Sequence, residues 1–306
     1  MRKRIVSLIA SSTEIIWALG YGESMVGKSH ECDYPAQVKD LPQVTWTKFN
    51  TDGRSYDIDQ RVKAIVQEGL SVYGVDADIL ERLQPDVIVT QDHCHVCAVS
   101  LADVEEAVCR MISSNPTVVS LHPDTLEDIW DDIRKVAGAL DDPAAGDRLV
   151  ESLQRRLDEI RTKAASATKP RVAFIEWVEP LMVGGNWAPQ QIEIAGGEDV
   201  LGKVGAHSPQ IPFEKLAATQ PDVIIVSPCG FDIPRTLEEM PLLTQQPEWR
   251  KLPAVRNDRV YVADGNQFFN RPGPRVVEST EICAEIFHPD LFNFGHENAA
   301  WQPFGQ

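Results

Sequence analysis

Two stretches of the chain spell almost the same buried strand, Gln84-Pro-Asp-Val-Ile-Val-Thr90 and Gln220-Pro-Asp-Val-Ile-Ile-Val226. Each follows a short amphipathic stretch, Ile79–Leu83 and Phe213–Ala218, and each is followed by a cysteine, Cys94 and Cys229. Proline and aspartate ahead of a β-branched run form a common helix-to-strand turn, and one copy alone says no more than that. Two copies separated by a long helical segment predict two lobes of like topology. In that segment Leu126, Ile129, Ile133, Val136 and Leu140 recur at helical spacing, and Asp141-Asp-Pro143 interrupts them. Leu149, Leu153, Leu157 and Ile160 then resume to about Lys163, with charged residues on the other faces. A charged helix between two similar halves predicts a rigid connector.

The rest of the chain alternates short β-branched runs with helical stretches. Strands are predicted at Arg4–Ile9, Met25–Ser29, Asp86–Thr90, Thr117–Ser120, Arg171–Ile175, Asp222–Val226 and Arg259–Val262. Helices are predicted over Ser11–Leu19, where Ser11-x-x-Glu14 suits a capping box, and over Ile58–Glu68, Ile79–Leu83, Leu101–Ile112 and about Arg275–Phe287. Such alternation implies parallel sheets covered by helices. The fold class is α/β: two parallel-sheet lobes joined by one long connecting helix, with a ligand cleft between the lobes. The boundaries are 1–122 for the N-terminal lobe, 123–168 for the helical connector, 169–290 for the C-terminal lobe and 291–306 for a surface tail.

Composition narrows the function. Of 306 residues 43% are hydrophobic, enough for a sizeable core. The 29 Lys+Arg against 46 Asp+Glu leave a net charge of −17, which repels phosphate backbones and anionic lipid and argues against nucleic acid as a partner. No run approaches the ~20 apolar residues of a membrane span, so no membrane insertion is expected. Met1-Arg-Lys-Arg4 and Ile5–Ala10 imitate a signal peptide, but Ser11-Ser-Thr-Glu14 cuts the apolar stretch short. With six cysteines and no export signal, a cytoplasmic location is expected, or a periplasmic or cell-surface one had the chain been trimmed.

Ligands of open α/β sheets bind beyond the carboxyl ends of the strands. The residues there are His30-Glu-Cys-Asp-Tyr-Pro35, Gln91-Asp-His-Cys-His-Val-Cys97, Glu176-Trp177, Gly184-Gly-Asn-Trp187, Ser227-Pro-Cys-Gly-Phe231 and Asp264-Gly-Asn-Gln-Phe-Phe-Asn-Arg271. Aromatic and soft-ligand side chains therefore gather at the strand ends. His30, Cys32, Cys94, Cys97 and Cys229 are candidate zinc or iron–sulfur ligands, because thiolate and imidazole are the donors such sites use. The plainer alternative is reduced cysteines filling small apolar volumes. Gly-x-Ser-x-Gly, a Walker loop and His-Glu-x-x-His are all missing, so the chain is read as non-catalytic.

Arg4-Ile-Val-Ser-Leu8 with Thr13-Glu14, Asp33-Tyr-Pro35, Leu83-Gln-Pro-Asp-Val-Ile88, Ala195-Gly-Gly-Glu-Asp199 and Arg271-Pro-Gly-Pro-Arg275 occur in a familiar order and spacing. Over about residues 4–288 the chain resembles the helical-backbone class of ABC-transporter substrate-binding proteins, which carry vitamin B12, siderophores and haem, and is nearest to the cobalamin-binding members. The resemblance implies that cobalamin or a related corrinoid is bound by Trp46, Trp177, Trp187, Asn266, Phe268, Phe269 and Arg271. Aromatic faces would cover a broad flat macrocycle while Arg and Asn meet its amide rim. It also implies docking onto an ABC permease through Glu81 and Glu198. Two other readings compete: a metal- or iron–sulfur-dependent enzyme using the cleft cysteines with His30 and Glu176, and a siderophore or haem binder.

Overall fold

The computed structural model describes residues 2–67, 72–92 and 115–305. The helix expected over Leu101–Ile112 and the candidate ligands Cys94 and Cys97 lie outside the described residues. The chain divides into two compact units. The first comprises Met1–Asp52, Gln60–Pro123 and Glu127–Ser152; the second comprises Gly53–Asp59, Asp124–Leu126 and Leu153–Gln306.

In the first unit, β1 (Ile5–Ser7), α1 (Ala10–Ala18), β2 (Met25–Gly27), β3 (Thr45–Thr47), α2 (Ser55–Gln67), β4 (Tyr73–Val75), α3 (Ala77–Leu83), β5 (Val87–Gln91) and β6 (Thr117–Leu121) follow one another, although α2 begins within the second unit. Parallel strands pair in the order β2-β1-β5-β6, and β3 and β4 form a separate antiparallel ribbon. All five residues of β5 are buried, as expected of a central parallel strand covered on both faces. Val6, Leu8, Val44, Leu80 and Ile88 form its core. The helices α4 (Leu126–Ala139) and α5 (Pro143–Ala164) follow, and α5 runs from the first unit into the second.

The second unit contains β7 (Arg171–Trp177), β8 (Met182–Val183), α6 (Ala188–Ile194), β9 (Glu198–Asp199), α7 (Phe213–Ala218), β10 (Val223–Val226), α8 (Ile233–Thr244), α9 (Pro253–Arg256), β11 (Val260–Ala263), α10 (Val276–Phe287) and β12 (Trp301–Pro303). Its sheet runs β12-β11-β10-β7-β8 with β9 also on β7, and β11, β10, β7 and β9 are parallel. Ile175, Ile224, Val226, Trp249 and Leu252 sit in its core.

The repeated heptapeptide does the same work in both units. Gln84 and Gln220 take positive φ angles of 44° and 47°, ending α3 and the turn after α7. Asp86 Oδ2 then accepts the Arg4 N–H (2.7 Å), and Asp222 Oδ2 accepts the Arg171 N–H (2.9 Å). In return the N–H groups of Asp86 and Asp222 each donate to the carbonyl of the same arginine at 2.8 Å. One short motif thus caps a helix, opens a central strand and sets its register against the first strand of its sheet.

Two expectations need correction. The capping box does not form: α1 starts one residue early with Ile9 as an uncapped N-cap, and Ser11 Oγ has no partner. Ser12 Oγ bonds Ser7 Oγ (2.6 Å) and Ile9 O (3.0 Å) instead, because these hydroxyls are buried at a strand end and satisfy one another. Nor is 291–306 only a surface tail. Its β12 pairs antiparallel with β11, and Phe292, Ala300 and Trp301 are buried, since the apolar side chains cover an otherwise open sheet edge. No helix among the described residues is long and apolar enough to cross a membrane.

Asp132 of α4 accepts the His122 N–H at the end of β6 (3.1 Å). Burial nevertheless pushes its carboxyl up to about 7. The folded protein therefore holds a proton that the unfolded chain releases, and stability falls as pH rises from about 4 to about 7. Asp132→Asn should raise the urea midpoint at pH 8 and leave it unchanged at pH 4; equal shifts at both pH values would contradict the assignment.

Candidate functional site

In the second unit three strand ends converge. The loop after β11 is laid along the loop after β10: Gly265 and Asn266 donate backbone N–H bonds to Phe231 O (2.8 and 3.1 Å), and Gly230 N–H donates to Gly265 O (3.2 Å). Only glycine fits at 265, because a Cβ there would lie 2.1 Å from Pro228 O. This zipper brings Phe231 against Trp177 at the end of β7, ring centroids 5.1 Å apart and tilted by 51°. The Arg235 guanidinium lies 4.5 Å above the other partner of that pair, Phe231. Buried Glu239 of α8 in turn holds Arg235 at 2.8 Å and accepts the Ser55 hydroxyl at 2.7 Å. The result is a half-buried indole supported from behind by a ring, a cation and a buried carboxylate.

The loop after β11 is folded around Asp264, whose Oδ1 accepts the N–H groups of Asn266 (2.9 Å) and Gln267 (2.7 Å). Burial pushes that carboxyl above its usual range against the pull of both bonds. Phe268 is half-buried, with the Arg275 guanidinium 5.1 Å from its ring. Arg271 donates to Asn266 Oδ1 (3.3 Å), and Arg275 to Gln267 Oε1 (3.0 Å).

Two expected ligand residues are buried beneath the loop. Phe269 is 3% exposed, takes φ 60° and packs on Phe174 at 5.1 Å. Trp187 is buried, and its indole N–H donates to Phe269 O (2.8 Å). Together they anchor the loop from below, and adjacent Phe268 and Phe269 point to different surroundings because the backbone reverses there. Phe231 and Arg235 were not singled out from the sequence; the available signal was an i,i+4 spacing of Phe231, Arg235 and Glu239 directly after a strand.

In the first unit Trp46 is 46% exposed on β3, with its indole over Gly74 of β4, where a Cβ would meet the ring at 2.4 Å. Nearby His30 bonds Thr45 Oγ1 (2.7 Å) and packs on Tyr73 (centroids 4.9 Å). Burial and the neighbouring Lys28 charge lower its pKa to about 4, so the imidazole is neutral at pH 7. Cys32 is buried, receives the Thr13 hydroxyl (2.9 Å) and lies 3.3 Å from Ser29 Oγ. Burial pushes its thiol pKa up, which opposes the thiolate a metal needs. Among the described residues no group of three or more His, Cys, Asp and Glu side chains could hold a metal ion. Glu81 is exposed on α3, and exposed Glu198 meets Arg171 at 3.4 Å.

Cysteine alkylation at pH 8 followed by peptide mapping should label half-buried Cys229 before Cys32 and Cys283, both of which are buried and raised in pKa. Rapid labelling of Cys32 in folded protein would show that its surroundings are open.

A family profile described as periplasmic binding protein matches residues 5–266. The vitamin B12-binding protein of Vibrio parahaemolyticus is 23% identical over 285 residues, covering 92% of this chain and 88% of that protein. A solved periplasmic haem-binding protein from Roseiflexus sp. RS-1 is 24% identical and superposes with a TM-score of 0.69 over 94% of this chain and 99% of that one. The solved periplasmic vitamin B12-binding protein of Vibrio cholerae is 24% identical, with a TM-score of 0.62 over 93% and 96%. The cytoplasmic location expected from the lack of an export signal is overturned by these descriptions, which place the family and its solved relatives in the periplasm. A two-unit α/β architecture, aromatic side chains at the strand ends, and a match across most of the length lead to one conclusion: the chain belongs to the periplasmic binding protein family, non-catalytic solute-binding proteins of transport systems.

Proposed function

We propose that the chain binds cobalamin or a related corrinoid and delivers it to an ABC permease. The observation that carries this reading is the half-buried indole of Trp177, packed at a tilt against Phe231, whose ring carries Arg235, in the same unit as half-buried Phe268. A broad macrocycle gains most from rigid aromatic faces whose ordering cost has already been met by the fold. Trp46 in the first unit offers a second exposed indole. The similarity to the Vibrio parahaemolyticus vitamin B12-binding protein supports the same ligand class.

Charge favours a corrinoid over haem. The arginines of this site already have partners: Arg235 has the Glu239 carboxylate, Arg271 has Asn266 and Arg275 has Gln267. Neutral rim amides can share such donors, whereas a propionate drawn to Arg235 would compete with the buried Glu239 carboxylate in a chain of net charge −17. Permease docking is assigned to exposed Glu81 and Glu198, which suit arginines on a partner. Titration with cyanocobalamin and, separately, haemin, followed by tryptophan quenching, tests the ligand. Saturable corrinoid binding below ten micromolar is expected; tight haemin binding with no corrinoid response would overturn the reading.

A further inference from the structure

The C-terminal tail lies beyond residue 266, where the family match ends, yet it is bonded more densely than a surface appendage requires. Glu285 of α10 is 4% exposed; its Oε1 accepts the backbone N–H groups of Phe294, Gly295 (2.7 Å) and His296 (3.3 Å). Its Oε2 accepts the Trp301 indole N–H at 2.8 Å. One turn earlier, Glu281 accepts from His296 Nε2 (2.9 Å) and from Arg156 (2.7 Å), which also reaches Glu278 (3.2 Å). A buried carboxylate gathering four N–H donors is a latch: it is satisfied only while the tail is folded against it.

What the latch holds is next to the candidate ligand loop. Ala300, bonded through its own N–H to His296 O (2.8 Å), accepts the Asp264 N–H at 2.9 Å. Asp264 is the residue around which Asn266 and Gln267 turn. The His296 ring stands 6.4 Å from Phe268, on which Arg275 also sits. Tail, turn and aromatic ring are therefore one connected assembly.

We propose that residues 291–303 form a built-in support that positions the Asp264–Arg271 loop for ligand, with Glu285 as its latch and His296 as the contact to Phe268. This rests on the reading of that loop as a ligand surface. Glu285, His296 and Trp301 are positioning residues and touch no ligand themselves.

The latch has a pH signature. The Glu281 bond, aided by Glu285 and Glu278, raises the His296 pKa above 6.5. The groups facing His296 are these three carboxylates, with Arg156 acting on it through Glu281. The His296–Glu281 contribution is full below pH 6.5 and is lost as pH rises through the raised value.

Hydrogen–deuterium exchange of the ligand-free full chain tests the support directly. Glu285→Ala should speed amide exchange across residues 264–271 at least tenfold while β7 and β10 stay protected, and should weaken cyanocobalamin binding at least tenfold. Trp301→Phe, which keeps the strand and removes a single N–H, should give a smaller change of the same sign. Wild-type loop protection should fall between pH 6 and pH 8.5, and His296→Phe should flatten that dependence. Loop exchange unchanged in both Glu285→Ala and Trp301→Phe would overturn the proposal, as would loss of protection throughout the second unit in Trp301→Phe. If the loop responds as expected but wild-type protein binds no corrinoid, the support stands and the ligand reading fails.

Discussion

Trp177→Ala should weaken corrinoid binding by about 2–4 kcal/mol, a drop of roughly 30- to 1000-fold in affinity. The indole is half-exposed yet supported by Phe231 at 5.1 Å, with Arg235 over that ring, so its face is presented without further ordering. Covering one indole and the matching macrocycle face removes on the order of 100–150 Å² from water, about 3 kcal/mol at the usual coefficient. Cys229→Ser should leave affinity within about tenfold, since the volume is kept. If a thiolate ligated the bound metal, the ranking would reverse and binding would strengthen from pH 6 to pH 8.5 as the thiol ionised. Calorimetric titration of both variants at the two pH values separates these cases; a complex indifferent to Trp177 and abolished by the cysteine change would sink the aromatic reading.

Glu239→Ala should lower the unfolding free energy of the protein by about 3 kcal/mol. The carboxylate is 1% exposed and accepts from the Ser55 hydroxyl (2.7 Å), the Ser55 N–H (3.3 Å) and Arg235 (2.8 Å). Its removal strands a buried hydroxyl and N–H and leaves the guanidinium that rests on Phe231 held only by Glu238 and the Gly53 carbonyl. Ser55→Ala, which deletes one neutral donor, should cost only about 1 kcal/mol. Urea denaturation measures both, and a Glu239→Ala loss smaller than that of Ser55→Ala would mean that the carboxylate bonds contribute nothing. The same variant should bind corrinoid more weakly, because Arg235 and Phe231 form the back of the Trp177 platform. A fall in both stability and affinity in this one variant is the expected result.

The parts of the fold that were legible in the letters are those governed by local periodicity. The five buried residues of β5 and four of β10 read as central strands because an unbroken β-branched run after Pro-Asp suits little else. The interrupted helical spacing marked α4 and α5 for the same reason, since 3.6-residue periodicity survives in any sequence with one buried face. Trp177 and Phe268 were marked by their place after a strand, a positional rule that needs no coordinates.

The same rule does not separate buried Trp187 and Phe269 from half-buried Trp177 and Phe268. A loop aromatic looks alike in sequence whether it meets a ligand or plugs the loop from beneath, and only the backbone reversal at Phe269 separates the two. Phe231, Arg235 and Glu239 became a unit only when β7, β10 and α8 were brought together, with Ser55 arriving from far away in the chain. The heptapeptide itself announced two like halves, but not that Asp86 would seek Arg4 or Asp222 would seek Arg171. Nor did three strand residues near the C-terminus announce that Glu285 would collect four N–H groups and close a sheet edge. Periodicity and turn chemistry act between neighbours in sequence and so are written there; the partner of a buried polar group is chosen by desolvation among residues the fold assembles, and that choice exists only in three dimensions.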